Sequence, residues 1–128
     1  MTGNNTLGVL LNGIAQLEYH RNKPLPTHQG AYLEKMDRKM REEGIDLGGE
    51  QIHAPSLEQC AQFVAANLAN AITHDDEAVA AAMCSWLANR LPELRQVKIE
   101  AQGDECTINL VFDEDYQKQV AIPLSQIH

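Results

Sequence analysis

The sequence predicts an α+β fold in which about four helices precede a C-terminal three-stranded antiparallel β-meander. Apolar residues recur at the spacing of a helix as far as residue 91 and at alternate positions from residue 97 onward. The chain of 128 residues is 44% hydrophobic and 22% charged, which is the size and composition of one folded domain.

The first predicted helix covers residues 6–21. Five apolar residues follow the i, i+3, i+4, i+7 spacing of an amphipathic helix: Leu7, Leu10, Leu11, Ile14 and Leu17. The dipeptide Asn12-Gly13 is a competing signal, since it favours a hairpin turn. Its flanking residues do not alternate regularly, so the helix is the prediction.

The second predicted helix covers residues 28–43, after a loop with two prolines. Its apolar stripe consists of Tyr32, Leu33, Met36 and Met40, with charged residues opposite. Gly44 is suited to cap its end. The following pair Gly48-Gly49 predicts a small hairpin.

The third and fourth predicted helices cover residues 56–72 and 75–91. Ser56 and Gln59 form a capping box at the start of the third helix. The fourth begins within the stretch THDDE at 73–77, with Thr73 or Asp75 as N-cap. Its imidazole and three carboxylates resemble a metal site, but consecutive residues point in different directions around a helix. We therefore interpret the stretch as a helix start whose carboxylates complement the helix dipole.

The strands of the predicted meander are 96–101, 105–112 and 118–124. Pro123 cannot donate to a neighbouring strand, which makes the last strand an edge. We expect a single domain over residues 1–128. The N-terminal helical pair (6–43) could pack as an arm or a cover on an α+β core formed by residues 55–125.

The charge distribution excludes several classes of partner. Residues 1–43 carry six basic and five acidic side chains, whereas residues 44–128 carry four basic and thirteen acidic ones. The acidic surface formed by residues 44–128 repels phosphate backbones, which argues against nucleic acid as a partner. No run approaches the roughly 18 apolar residues of a membrane span, and no basic residue precedes the N-terminal apolar patch. A cytoplasmic location without membrane contact is the expectation.

Motifs of common catalytic sites are missing from the sequence. The spacings of a C-x-x-C pair, an H-E-x-x-H helix, a calcium loop, a P-loop and a nucleophile elbow do not occur. We therefore expect no catalytic residues and no cofactor. The weak candidates for a metal site are His20 and His28, which flank the proline-rich loop. Weak candidates for ligand binding are their neighbours Tyr19, Arg21 and Lys23.

The third and fourth helices are nearly free of charge. No charged residue occurs from 59 to 74 or from 78 to 89, although exposed helix faces normally carry Lys and Glu. The non-core sides of these helices form a candidate interaction surface: Gln62, Ala66, Ala69, Asn70, Ala81, Cys84, Ser85 and Ala88. The first two helices of the chain could pack over these sides. Alternatively another subunit covers them, since charge depletion is typical of an interface core.

These observations favour a non-catalytic cytosolic accessory or regulatory protein that acts through protein–protein contacts and is itself a homo-oligomer. The alternative is a small-ligand or metal-binding module around the His20/His28 loop, which could be a small enzyme.

Overall fold

The structure is a computed structural model that describes residues 5–117. The strands are β1 (Thr6–Leu11), β2 (Ile14–His20), β3 (Ile45–Leu47), β4 (Glu50–Ile52), β5 (Gln96–Gln102) and β6 (Glu105–Val111). The helices are α1 (Thr27–Glu43), α2 (Leu57–Thr73) and α3 (Glu77–Arg90).

The strands form a mixed four-stranded sheet in the order β2-β1-β5-β6, and β3 and β4 form the separate small hairpin that Gly48-Gly49 predicts. Strands β1 and β5 are central and parallel, and each pairs with its outer neighbour in antiparallel fashion. The predicted fold of four helices followed by a three-stranded meander is therefore wrong. Residues 5–117 form three helices and six strands, and the N-terminal hairpin belongs to the main sheet, with β1 central and β2 at an edge. The third predicted strand, 118–124, lies outside the described residues.

The largest correction concerns residues 6–21, which form the β1–β2 hairpin instead of a helix. Asn12 and Gly13 both have positive φ, 51° and 83°, as a two-residue hairpin turn requires. The Asn12 side chain also bonds β5, because its Oδ1 accepts from the Ala101 N–H at 2.9 Å. Leu7 and Val9 have no solvent exposure. The side-chain period of this segment is therefore two, and the helical spacing was a coincidence of apolar positions.

The core lies between the main sheet and the pair α2 and α3. Val97 and Ile99 of β5 and Leu87 of α3 belong to it, and all three are at most 1% exposed. Helix α1 packs against the outside of this pair, and its own residue Leu33 is buried. The Asp37 carboxylate fixes the position of α1, since it accepts from Trp86 Nε1 at 2.7 Å and from Arg90 Nη2 at 2.6 Å.

Residues 113–117, which we call the crossing segment, pack on the other face of the sheet. The Tyr116 ring lies directly over Gly8, where a Cβ would overlap it. The Tyr116 hydroxyl donates to Glu18 Oε2 at 2.6 Å, and Gln96 Nε2 donates to the Glu114 carbonyl at 2.9 Å. Both faces of the central strands are thereby covered.

Helices α2 and α3 begin with side-chain caps. Ser56 and Gln59 form the predicted capping box. The stretch 73–77 separates the two helices, and the N-cap of α3 is Asp76, whose Oδ1 accepts from the Val79 N–H at 3.2 Å. Asp75 adopts a positive φ of 57° in the turn and is not the cap.

Candidate interaction surface

A shallow groove runs along the exposed side of α3 and continues over α1; we call it the lateral groove. Its centre is a depression of about 620 Å³ between β2, α1 and α3. The walls are mostly apolar and are contributed by side chains of all three elements, including Tyr19, His28, Tyr32, Ala78, Ala81 and Ala82.

One end of the lateral groove is acidic. A second depression, of about 570 Å³, shares Ala78 and Ala81 with the centre and extends to the start of α3. Asp75, Asp76 and Glu77 line it, and no basic side chain among its lining residues balances them. We call this part the acidic end.

The other end of the lateral groove carries one basic and one acidic group. A third depression, of about 300 Å³ between α1 and α2, shares Tyr32 with the centre. Lys39 and Glu43 line it together with apolar side chains such as Phe63. The charges of this end are therefore balanced.

The centre of the groove exposes apolar side chains to solvent. Tyr32 is 48% exposed, and Ala78 and Ala81 are exposed as well. Helix α3 has no charged residue between Glu77 and Arg90. A contiguous exposed apolar surface flanked by charges is typical of a site that binds another molecule.

Two of the polar side chains that line the centre, Tyr19 and Ser85, are hydrogen-bonded to Asn89. Asn89 Nδ2 donates to the Tyr19 hydroxyl at 2.9 Å and to the Ser85 carbonyl at 2.8 Å. The Ser85 and His28 side chains line the same central depression. These groups give the groove hydrogen-bonding capacity at its floor and rim.

The structure divides the residues of the sequence-predicted interaction surface into two groups. Ala69, Cys84 and Ala88 are buried, so the chain itself covers them. Burial raises the pKa of the Cys84 thiol to about 12, and the nearby Arg21 charge opposes this shift only in part. The other five residues reach the surface at different places.

Ala81 and Ser85 line the lateral groove. Ala66 and Asn70 lie on α2 in a separate depression beside the β5–β6 hairpin, and Gln62 is exposed on the same helix. Two residues of the predicted surface, both on α3, thus line the groove.

The sequence-predicted ligand and metal candidates are also separated. Tyr19 and His28 meet in the central depression, whereas Arg21 donates to three backbone carbonyls, those of Ala88, Leu91 and Leu94, at 2.7–3.0 Å. Burial is the main reason why the Arg21 pKa is lowered, with a contribution from Arg95.

His20 and Lys23 lie away from the groove lining. His20 Nδ1 is 3.1 Å from Thr6 Oγ1, and Lys23 is exposed in the turn after β2. Within residues 5–117, no three His, Cys, Asp or Glu side chains are grouped so that they could hold a metal ion.

Sequence reasoning missed the most exposed apolar residue of the groove. Tyr32 was expected in the core stripe of α1, but only Leu33 and Met40 of that stripe are buried. The sequence did contain a signal that Tyr32 is exposed, namely its position at the margin of the apolar stripe. Lys35 and Lys39 lie one and two turns further along the same side of the helix.

No family model matches the chain, and no curated protein or solved structure is significantly similar to it. Among the helices of the described region, none combines the length and apolarity that crossing a bilayer requires.

Proposed function

We propose that this protein is a non-catalytic cytosolic accessory or regulatory protein, and that the lateral groove is the surface through which it binds another protein chain. The observation that carries the proposal is the exposed, charge-free side of α3 beside the half-exposed Tyr32. Charge depletion with an aromatic residue is the composition of a protein interface core, while the charged ends resemble its rim.

The groove offers enough apolar surface to make association favourable. Removal of apolar surface from water contributes about 25 cal/mol per Å², and the Tyr32 side chain in the groove is 48% exposed. Tyrosine is also enriched among the residues that dominate binding energy. The alanines permit close approach of a partner backbone because they do not occupy the groove.

A cytosolic location is supported by the cysteines. Cys60, Cys84 and Cys106 are all free thiols in the structure. Free thiols are the usual state of cysteine in a reducing compartment.

The proposal is tested by the size of the protein in purified form and in clarified extract of its source cells. We expect the wild type to elute in at least one of these samples well above the position of a 14.2 kDa monomer. Ala81→Glu places a charge in the groove and should shift the protein to the monomer position. Ala31→Glu is the matched control, because Ala31 is exposed on α1 outside the groove lining.

Two results would contradict the proposal. The wild type could elute as a monomer in both samples, or Ala81→Glu could behave like Ala31→Glu. Circular dichroism spectra of the two variants must match that of the wild type, so that a loss of binding is not a loss of folding.

A small-ligand function is the second candidate, because Tyr19, His28 and Ser85 meet in the central depression. Ligand sites are commonly concave, mostly apolar and provided with a few polar groups. A fragment library screened by ligand-observed NMR tests it. Fragments that bind the wild type and lose binding in Tyr19→Phe and His28→Ala would support this candidate; fragments whose binding neither variant changes would oppose it.

A further inference from the structure

We infer that the depression between α1 and α2 receives one aromatic side chain of the protein chain that binds in the lateral groove. We call this depression, of about 300 Å³, the anchor pocket; Met36, Met40, Phe63 and Met83 are among its lining residues. The inference rests on the proposed function and gives the partner a chemical feature, an aromatic residue that anchors it.

The walls of the anchor pocket are rich in sulfur and in aromatic rings. Three of the four methionines of the chain, Met36, Met40 and Met83, line this one depression although they belong to two helices. Phe63 of α2 and Tyr32 of α1 contribute two rings. Thioether sulfur makes favourable contacts with the edge of an aromatic ring, and aromatic rings attract each other in edge-to-face and offset arrangements. These walls favour an aromatic occupant over an aliphatic one of the same size.

Most of these side chains lie at the surface rather than in a sealed core. Methionine often fills irregular gaps inside proteins, and Met40 is of this kind, since it is 6% exposed. Met36, Phe63 and Met83 are only half-buried. Unbranched methionine side chains at a surface adjust to the shape of an incoming group. A further apolar group can therefore complete the packing that these three side chains lack.

The size and charge of the anchor pocket suit a single neutral ring. Its volume of about 300 Å³ lies at the lower limit of pockets for drug-sized ligands, so it is too small for a cofactor. Lys39 and Glu43 line it with balanced charges, which favours neither an anion nor a cation. The Asn67 amide is held within the chain, because its Nδ2 donates to the Phe63 carbonyl at 2.8 Å.

The anchor pocket is continuous with the lateral groove. Tyr32 lines both the pocket and the apolar centre, so a chain that lies over the centre also lies beside the pocket. Tyrosine and tryptophan are enriched among the residues that dominate binding energy, and they act in desolvated pockets surrounded by weaker contacts. This continuity assigns the ring to the bound chain rather than to a free small molecule.

A matched pair of small probes tests the aromatic preference of the pocket. Benzyl alcohol and cyclohexylmethanol differ only in whether the ring is aromatic, and the saturated ring is the more apolar of the two. NMR of the full-length protein, isotopically labelled at its methionine methyls, follows the titration with each probe. We expect benzyl alcohol to shift the Met36 and Met83 methyls with about threefold higher affinity than cyclohexylmethanol. Equal affinities, tighter binding of cyclohexylmethanol, or no shift of these methyls would overturn the inference.

Two substitutions test which wall groups recognise the ring. Met83→Leu removes the sulfur and Phe63→Leu removes the aromatic ring, while both keep an apolar side chain of similar size, an exchange that folded proteins tolerate well. Each should weaken the binding of benzyl alcohol about threefold and change that of cyclohexylmethanol much less. The control is Leu57→Ala, at an exposed position of α2 outside the pocket lining, which should change neither. Variants that bind both probes like the wild type would oppose recognition by these groups.

Competition identifies the source of the ring. In whichever sample the wild type elutes above the monomer position, benzyl alcohol at a concentration that fills the pocket should shift it towards the monomer. Cyclohexylmethanol at the same concentration should do so less, and Met83→Leu should weaken the association in the absence of either probe.

The outcomes separate this inference from the proposed function. If benzyl alcohol fills the pocket and the association persists, while Ala81→Glu removes it, the groove remains the interface and the aromatic anchor is overturned. If the wild type is a monomer in both samples, the proposed function fails and the assignment of the ring to a partner fails with it. Binding of benzyl alcohol by that monomer would then identify the pocket as a site for free aromatic compounds.

Discussion

At the scale of single residues, Arg21 connects the end of β2 to the end of α3. Its guanidinium donates to the carbonyls of Ala88, Leu91 and Leu94, and the Leu91 carbonyl also accepts from the Leu94 N–H at 3.0 Å. The end of a helix leaves carbonyls such as that of Ala88 without intrahelical partners. The planar fork of arginine suits several acceptors at once, and its positive charge complements the negative end of the helix dipole. The residue therefore has a structural role that the sequence alone does not reveal.

Removal of this guanidinium should destabilise the fold. Arg21→Ala removes the donor to the carbonyls of Ala88 and Leu94 and one of the two donors to that of Leu91, so we expect a loss of about 3 kcal/mol in the free energy of unfolding. Arg21→Lys should recover only part of it, because a point charge cannot reach all three. Urea unfolding measures the stability of both Arg21 variants. The control is Lys23→Ala at an exposed position, whose free energy of unfolding is expected within about 0.5 kcal/mol of wild type. A midpoint for Arg21→Ala equal to that of the control would refute this role.

The cysteines should differ sharply in reactivity. The thiolate is the nucleophile, and Cys84 is buried with a pKa raised to about 12, whereas Cys106 is exposed. Iodoacetamide at pH 8 should modify Cys106 in the native protein and Cys84 only after unfolding, as peptide mass spectrometry can show. Equal labelling of both thiols in the native state would contradict the burial of Cys84.

The same pKa shift has a consequence for stability. Unfolded Cys84 loses its proton near pH 9 and the folded one only near pH 12. Its contribution is therefore fully present below about pH 9 and is lost as the pH rises from there towards 12. The difference in the free energy of unfolding between wild type and Cys84→Ala, measured over this pH range, isolates the contribution of Cys84 from the titration of other groups.

At the scale of elements, the crossing segment depends on a glycine in β1. The Tyr116 ring occupies the space in which any Cβ at position 8 would lie, so Gly8→Ala should cost about 2–3 kcal/mol through overpacking. In a Tyr116→Ala background the same substitution should cost much less. Chemical denaturation of the four proteins gives the coupling energy, expected at about 1.5 kcal/mol or more; additive losses would show that the two residues are not in contact.

The β1–β2 hairpin shows why local patterns misassigned one element. Strand β1 is covered by helices on one face and by Tyr116 on the other, so its residues TLGVLL do not alternate between apolar and polar. A register shift at Val9/Leu10 further disturbs the pattern. The one local signal that pointed correctly was Asn12-Gly13. Whether this turn signal outweighs the helical spacing could not be judged without knowing that β5, more than 80 residues later, pairs with β1.

The helices and the C-terminal hairpin were easier to locate, because their information is local. Helix α2 has its capping box and α3 begins in the acidic stretch at 73–77, and both positions follow from spacing alone. Strands β5 and β6 lie at 96–102 and 105–111, within one residue of where alternation places them. The degree to which each face of a helix is buried could not be predicted from spacing alone. Cys84 and Ala81 are both small residues on the predicted non-core side of α3, yet one is buried by the rest of the chain and the other is exposed.

At the scale of the whole molecule, α1 packs outside the α2–α3 pair and adds Leu33 and Met40 to the hydrophobic core. It is tied to α3 through Asp37 with Trp86 and Arg90. Ala78 and Ala81 of α3 remain open beside Tyr32, which produces the apolar centre of the lateral groove. The question raised by the charge-free helices thus has a divided answer, since the chain covers much of their surface and leaves this part exposed.

The methyl groups of the groove alanines offer the most direct measurement of that partner contact. In a protein with isotopically labelled alanine methyls, an inert paramagnetic co-solute reports how accessible each methyl is to solvent. We predict that Ala78, Ala81 and Ala82 become protected in the sample in which the protein associates, while exposed Ala31 stays accessible and buried Ala61 stays protected throughout. Groove methyls that remain as accessible as Ala31 at every concentration at which the protein associates would contradict the assignment of the lateral groove as the contact surface.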